Sequence, residues 1–158
     1  LDGGGQGDAL FGGVGNDHLD GGRGADSLYG GDGVDVINGS LGTDILTGGA
    51  GADYFVFGYT EDGVDLITDF TGGEDILRVA APLLGAAAPG PGVLSSGYFS
   101  LGTASGTSAQ FVLTYDASLD QSTLHWQATG TDSLGGDLVL MTLSGPTTMT
   151  ASDISLFL

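Results

Sequence analysis

Cysteine is absent from the 158-residue chain. No disulfide framework and no thiolate metal site can be built from it. Basic residues are almost absent too: Arg23 and Arg78 stand against 20 Asp and Glu, for a formal net charge of −18. A phosphate backbone is gripped by Lys and Arg that displace counterions, so nucleic acid is excluded as a partner. Anionic membrane surfaces are excluded for the same reason. Long apolar runs are missing, and no segment reaches the roughly 20 residues that span a bilayer. The most apolar stretch, residues 80–94, is broken by Pro82, Pro89 and Pro91. Glutamate is scarce as well: of the acids only Glu61 and Glu74 are Glu. A merely solubilising surface would mix the two acids, so something selects the shorter carboxylate. Clustered carboxylates call for a hard cation such as calcium, which takes oxygen ligands.

Glycine and aspartate are plentiful, and they are periodic. From Gly3 the chain divides into nine-residue blocks: GGGQGDALF, GGVGNDHLD, GGRGADSLY, GGDGVDVIN, GSLGTDILT and GGAGADYFV. Asp8, Asp17, Asp26, Asp35, Asp44 and Asp53 recur without a slip, and two residues after each comes Leu10, Leu19, Leu28, Ile37, Leu46 or Phe55. The blocks follow G-G-x-G-x-D-x-U-x, with U a large apolar residue. Two blocks depart: Gln6 stands where the third glycine belongs, and Ser40 replaces the second glycine of the fifth block. Leu1-Asp2 fits the end of a preceding block, and the chain does not open on Met. Further repeats and another domain are therefore expected upstream.

The block explains its own composition. Six residues make a turn and three a short strand, whose alternation points U inward. Two blocks complete one turn of a parallel roll, which stacks Leu10, Leu28 and Leu46 in one sheet and Leu19, Ile37 and Phe55 in the other. The glycines let the loop backbone visit φ > 0 and pass close to an ion. Such a thin core cannot offset the ordering entropy of a glycine-rich chain, and the Asp files repel themselves, so the repeats are expected to be disordered without a cation. Calcium, with six to eight oxygen ligands, suits the space between loops stacked two blocks apart. The expected ligands are the carboxylates of Asp8, Asp17, Asp26, Asp35, Asp44 and Asp53 together with loop main chain. The loop positions are Gly12, Gly13, Gly15, Gly21, Gly22, Gly24, Gly30, Gly31, Gly33, Gly39, Gly42, Gly48, Gly49 and Gly51. One file holds Asp8, Asp26 and Asp44 and the other Asp17, Asp35 and Asp53, which gives four sandwiched ions.

After residue 56 the period ends. Residues 57–79 carry short strand-like runs at 64–70 and 75–79 and are expected to close the roll. Residues 80–96 form an Ala/Gly/Pro-rich linker. Residues 97–158 read as a C-terminal antiparallel, sandwich-like β region with strands near 98–101, 110–115, 123–127, 138–143 and 154–158. The fold class is all-β, with a parallel β-roll first. Asp62, Asp65, Asp69 and Asp75 could cap the last turn or bind a further ion.

The first 56 residues resemble the RTX, or hemolysin-type calcium-binding, repeat proteins. Gly51-Ala52-Asp53-Tyr54-Phe55-Val56-Phe57, then Asp65-Leu66-Ile67-Thr68-Asp69-Phe70 and Asp75-Ile76-Leu77, resembles the segment that closes the roll in serralysin-type and other exoproteins. Tyr115-Asp116, Thr123-Leu124-His125-Trp126 and Thr150-Ala151-Ser152-Asp153-Ile154 resemble the C-terminal portion of such proteins. Gln127-Ala128-Thr129-Gly130 lacks the acids relatives often carry there. The resemblance implies secretion from Gram-negative bacteria by a type I apparatus, with an upstream exoprotein domain on the same polypeptide. The ending Asp153-Ile154-Ser155-Leu156-Phe157-Leu158 resembles the C-terminal signal read in that pathway, and reads equally as a last strand.

No H-E-x-x-H and no G-x-S-x-G is present, so neither protease nor lipase chemistry is visible and the chain is not expected to be an enzyme. His18 and His125 are isolated, and without cysteine they make no zinc site. Two other readings stay open: a structural or adhesive surface-layer or biofilm module, and a fragment of a secreted hydrolase whose active site lies upstream.

Overall fold

The nine-residue period sets the order of the strands. The computed structural model describes residues 1–58, 63–82, 92–93, 99–101, 110–127 and 138–158. The repeat blocks supply β1 (Ala9–Val14), β2 (His18–Asp20), β3 (Ser27–Asp32), β4 (Val36–Asn38), β5 (Ile45–Ala50) and β6 (Tyr54–Phe57). Each strand starts just after its Asp, and alternation sends U inward. Odd strands pair in parallel in one sheet and even strands in the other, so two blocks make one turn. Leu10, Leu28 and Leu46 are in register in the first sheet. Leu19, Ile37 and Phe55 are in register in the second. All but Leu10, at the open end, are fully buried.

The two sheets differ in one respect that the period does not announce. The even strands β2 and β4 have the expected three residues, but β1, β3 and β5 have six. They run on through the first two glycines of the following block, so Gly13 lies beside Gly31 and Gly31 beside Gly49.

The roll does not stop where the period does. β7 (Asp65–Ile67) pairs in parallel with β5, and β8 (Ile76–Ala80) with β6, which adds a further turn. Ile67 follows Leu46 in the inner column and Leu77 follows Phe55. Phe70 packs against Phe55 with ring centroids 6.2 Å apart.

Beyond β8 come β9 (Gly92–Val93), β10 (Phe99–Leu101), β11 (Gln110–Asp116), β12 (Gln121–Gln127), β13 (Leu138–Ser144) and β14 (Ile154–Phe157). The expected strands near 98–101, 110–115, 123–127, 138–143 and 154–158 are found within a residue or two. Most of the expected linker lies outside the described residues. The expected sandwich-like region is not a separate sandwich. β11, β12 and β13 are antiparallel neighbours, but β13 pairs in parallel with β7 and so belongs to the roll's own eight-stranded sheet. β14 likewise pairs in parallel with β8 in the six-stranded sheet. The physical reason is the core. Leu124, Met141 and Leu143 from one sheet and Ile154 and Leu156 from the other continue the apolar interior that Leu19 to Leu77 begin. Trp126 is buried against Phe111 at 4.8 Å. Helix is confined, among the described residues, to 3₁₀ turns such as Ala151–Asp153, and no helix there is long and apolar enough to cross a membrane.

The stacked columns predict where truncation hurts. Leu28→Ala empties the middle of a closed column and should cost about 2–5 kcal/mol. Phe11→Ala removes an exposed ring that stacks on Tyr29 with centroids 4.9 Å apart, and should cost about 1 kcal/mol or less. Urea unfolding in saturating calcium measures both, and similar losses would contradict the inward assignment of Leu28.

Candidate metal centre

Each repeat aspartate is placed by its backbone before its side chain does anything. Its carbonyl accepts from the next turn's strand, as Asp17 O does from Val36 N at 2.9 Å and Asp35 O from Tyr54 N at 2.9 Å. Its own N–H points at the carboxylate eighteen residues later. Asp8 N donates to Asp26 Oδ1 at 2.7 Å, and Asp26 N to Asp44 Oδ1 at 2.8 Å. Asp17 N donates to Asp35 Oδ1 at 2.8 Å, and Asp35 N to Asp53 Oδ1 at 2.9 Å. The two expected files are therefore present, as ladders in which one carboxylate oxygen is fixed by the preceding rung.

The other oxygen is not fixed by protein. Oδ2 of Asp17, Asp26, Asp35 and Asp53 is shielded from solvent and has no hydrogen-bond partner. Asp35 is fully buried, and Asp26 and Asp53 are nearly so. An unsatisfied buried carboxylate oxygen is costly, more so than a neutral group. Burial pushes the Asp53 carboxyl above its ordinary range, and Asp75, Asp35 and Asp69 push the same way, against the hydrogen bond from Asp35 N. The ladder is thus a line of carboxylates whose second oxygen, at Asp17, Asp26, Asp35 and Asp53, no protein group satisfies.

The first glycine of each block shows where that charge points. A Cβ at residue 12 would meet Gly30 O at 2.5 Å and Asp17 Oδ2 at 2.9 Å. At residue 21 it would meet Asp26 Oδ2 at 2.5 Å and Gly39 O at 2.7 Å. Gly30, Gly39 and Gly48 are crowded in the same way by Asp35, Asp44 and Asp53. At Gly12, Gly21 and Gly30 the carboxylate oxygen and the carbonyl of the next turn's loop converge. The second and fourth glycines, such as Gly31 and Gly33, hold φ of 115° and 141° and rest directly on Gly13 O and Gly15 O one turn below. Gly13, Gly15, Gly22, Gly24, Gly42, Gly49 and Gly51 share the left-handed conformation. No three Asp, Glu or His side chains gather at one point among the described residues. With one carboxylate per loop, a cation would have to draw on main-chain carbonyls, the mixed oxygen set calcium accepts. The residues fit that ion.

At the far end the ladders outlast the nine-residue period. Asp65 Oδ1 accepts from Asp44 N at 2.9 Å and Asp75 Oδ1 from Asp53 N at 3.0 Å, so both files gain a rung. Asp75 Oδ2 is taken by Thr71 N at 2.8 Å. Asp69 clamps the last complete loop, with Oδ1 on Gly48 N at 2.9 Å and Oδ2 on Gly49 N at 2.8 Å. Asp153 holds Gly73 N at 3.1 Å and Thr150 N at 2.8 Å. Of the carboxylates read as caps or ion ligands, Asp65, Asp69 and Asp75 therefore cap by hydrogen bonding. Asp62 lies outside the described residues. The signal that could have found two of them is the triplet Asp-x-apolar, repeated in Asp65-Leu66-Ile67 and Asp75-Ile76-Leu77. His18 lies exposed on β2. His125 lies outward on β12, 3.2 Å from Thr114 Oγ1.

A family model described as the RTX calcium-binding nonapeptide repeat matches residues 2–37 and 29–58, with four copies. Among solved structures, the chain is similar to the AlgE6R3 subunit of the Azotobacter vinelandii mannuronan C5-epimerase. The TM-score is 0.63 at 27% identity, over 95% of this chain and 78% of that one. It is also similar to the AlgE6R2 subunit of the same epimerase, with a TM-score of 0.55 at 27% identity over 96% and 91%. No curated protein sequence matches the chain.

The ladder predicts a ranking within each file. Asp26 and Asp35 each stand between two rungs, whereas Asp8 and Asp17 end their files. Asp26→Asn should raise the calcium midpoint more than Asp8→Asn, and Asp35→Asn more than Asp17→Asn, because a central lesion also uncouples neighbouring turns. Calcium titrations followed by circular dichroism check this. A larger effect at Asp8 or Asp17 would contradict the two-file ladder.

Proposed function

We propose that this chain, whose residues 2–58 are RTX calcium-binding nonapeptide repeats, is a calcium-folded C-terminal module of an exoprotein. It folds outside the cell and supports the export and stability of a domain upstream. The observation that carries this reading is the row of buried, partnerless Oδ2 atoms on Asp17, Asp26, Asp35 and Asp53. A chain does not retain such a row unless something else completes it. Bound calcium supplies positive charge and oxygen coordination at each loop, and that binding energy is folding energy. The chain's own part is to hold one carboxylate oxygen by a backbone N–H and leave the other free. The cytosol is poor in calcium, so the repeats stay open for passage through a secretion apparatus and close outside. No catalytic role is assigned to the module itself.

Circular dichroism in chelator should show the repeat half largely disordered, with β signal gained at about 10⁻⁴–10⁻³ M calcium, the range of extracellular modules. Equal β content with and without calcium would sink the proposal.

The ending needs a subtler test than deletion. Asp153–Leu158 carries the strand β14, and Ile154 and Leu156 are buried, so removing it would damage the fold. Phe157 and Leu158 are not buried; Phe157 lies beside the Arg78 guanidinium, 5.3 Å from its ring. Phe157→Ser with Leu158→Ser should reduce export from a cell with a matched transporter and leave the calcium midpoint nearly unchanged. Undiminished export would mean that the ending is only a strand.

A second reading has one specific observation behind it. The similar structures are subunits of an epimerase, and on this reading the domain upstream of the module is an enzyme whose active site lies outside the chain. Assaying the longer polypeptide with and without this module, in calcium, separates a stabilising role from a bystander.

A further inference from the structure

We infer that the two calcium-facing edges of the roll are unequal, and that the edge carrying Asp17, Asp35 and Asp53 orders at lower calcium than the edge carrying Asp8, Asp26 and Asp44. This rests on the calcium reading above and adds a sequence of events to it.

Sequence separates the edges first. The blocks holding Asp17, Asp35 and Asp53 all keep the full glycine pattern. On the other edge two of the three blocks break it, one at Gln6 and one at Ser40. The backbone shows what each departure does. In five of the six blocks the fourth position is a glycine with φ between 123° and 155°. Gln6 occupies that position in the first block and is not among the residues with positive φ. Its loop therefore departs from the shape of the others. Ser40 does the opposite and keeps the shape, with φ 65°, a conformation L side chains resist. It is held there by Ser40 Oγ donating to Asp20 Oδ1 at 2.8 Å and by its N–H on Asn38 Oδ1 at 3.2 Å.

Hydrogen bonding separates the edges at their far end, although both carry backbone bonds through their loops. On the favoured edge the strands β1, β3 and β5 carry parallel pairing through the loops: Gly13, Gly31 and Gly49 align, as do Val14, Asp32 and Ala50. Gly15 N and Gly33 N extend it, donating to Asp32 O and Ala50 O at 2.8 Å each. The other edge carries matching bonds, with Arg23 N on Gly4 O and Leu41 N on Gly22 O at 2.8 Å each and Gly24 N on Leu41 O at 2.9 Å. The favoured edge also ends on the Asp69 clamp, which satisfies Gly48 N and Gly49 N without a cation.

Charge alone does not decide the matter. The third block position brings Asp32 to the favoured edge and Arg23 to the other, but Asp2 and Asp20 line the same recess as Arg23 and offset it. Backbone order decides. A loop whose glycines reach the binding shape without strain consumes less of the binding energy in ordering than one that must force Ser40 to positive φ or depart from the shape at Gln6. At intermediate calcium the roll is then pinned along one edge and open along the other.

Residue-resolved amide hydrogen exchange on the full chain at rising calcium tests this without any substitution. Gly31 and Gly33 should gain protection at several-fold lower calcium than Gly22 and Gly24. Ser40→Gly combined with Gln6→Gly should narrow the gap, and Gly31→Ser combined with Gly15→Gln should reverse the order. A common midpoint for both edges, or earlier protection of Gly22 and Gly24, would overturn the inference and leave calcium-driven folding intact. No calcium response at any of the four amides would overturn both.

Discussion

A backbone N–H of one aspartate donates to the carboxylate of the aspartate one turn later, and the rest of the structure is arranged around that bond. It fixes the side chain without neutralising it. It uses one oxygen and buries the other, which turns each rung into half a binding site. It also explains why the strands fall into register, since each turn is keyed to the next at the point where loop becomes strand. Parallel pairing with a period of two along the strand has several registers close in energy for short, glycine-flanked strands. The carboxylate rung selects one of them.

The bond also explains why the module has a finished end. A stack of identical turns would leave the last aspartates' N–H groups without acceptors. Asp65 and Asp75 accept from Asp44 N and Asp53 N and close both ladders. Asp69 and Asp153 then take main-chain donors with both oxygens, so the far end is satisfied by protein alone. The antiparallel strands β11 to β13 lie beyond that closure and extend the sheet so that β7, the roll's last strand in it, is not its edge. An exposed parallel edge invites association with other chains, and covering it is how sheets avoid that.

How much of this the sequence disclosed follows from where the information sits. The six Asp and the six U residues are local and periodic, so the roll, the two files and the inner columns were readable from spacing alone. The closing turn was readable as strand-like runs at 64–70 and 75–79, but its rungs were not readable from the period, because they come 21 and 22 residues after Asp44 and Asp53 where the repeat would put them at 18. Longer loops shift the count while the Asp-x-apolar triplet survives. The docking of the C-terminal half was also invisible. Asp65 O accepts from Thr142 Oγ1 across 77 residues, and nothing local in Leu138–Ser144 says whether it pairs with a new sheet or with the old one. A strand's alternation reports that one face is buried, not against which partner.

The preference for aspartate over glutamate follows from the same geometry. Neighbouring parallel strands lie about 4.8 Å apart. A carboxylate must reach an N–H one strand away while its second oxygen stays beneath its own loop. Asp does both with one methylene: Asp35 Oδ1 sits 2.8 Å from Asp17 N, and its Oδ2 fills the space a Cβ at residue 30 would take. A Glu would carry the carboxylate one bond further, past the donor and into the glycine backbone. It would also have one more rotor to immobilise. Glu74, the one glutamate among the described residues, stands beside the ladder at the residue before Asp75, exposed, where reach is not constrained. The near-absence of Glu, visible before any repeat is found, is therefore the trace that a fixed strand spacing leaves in the composition.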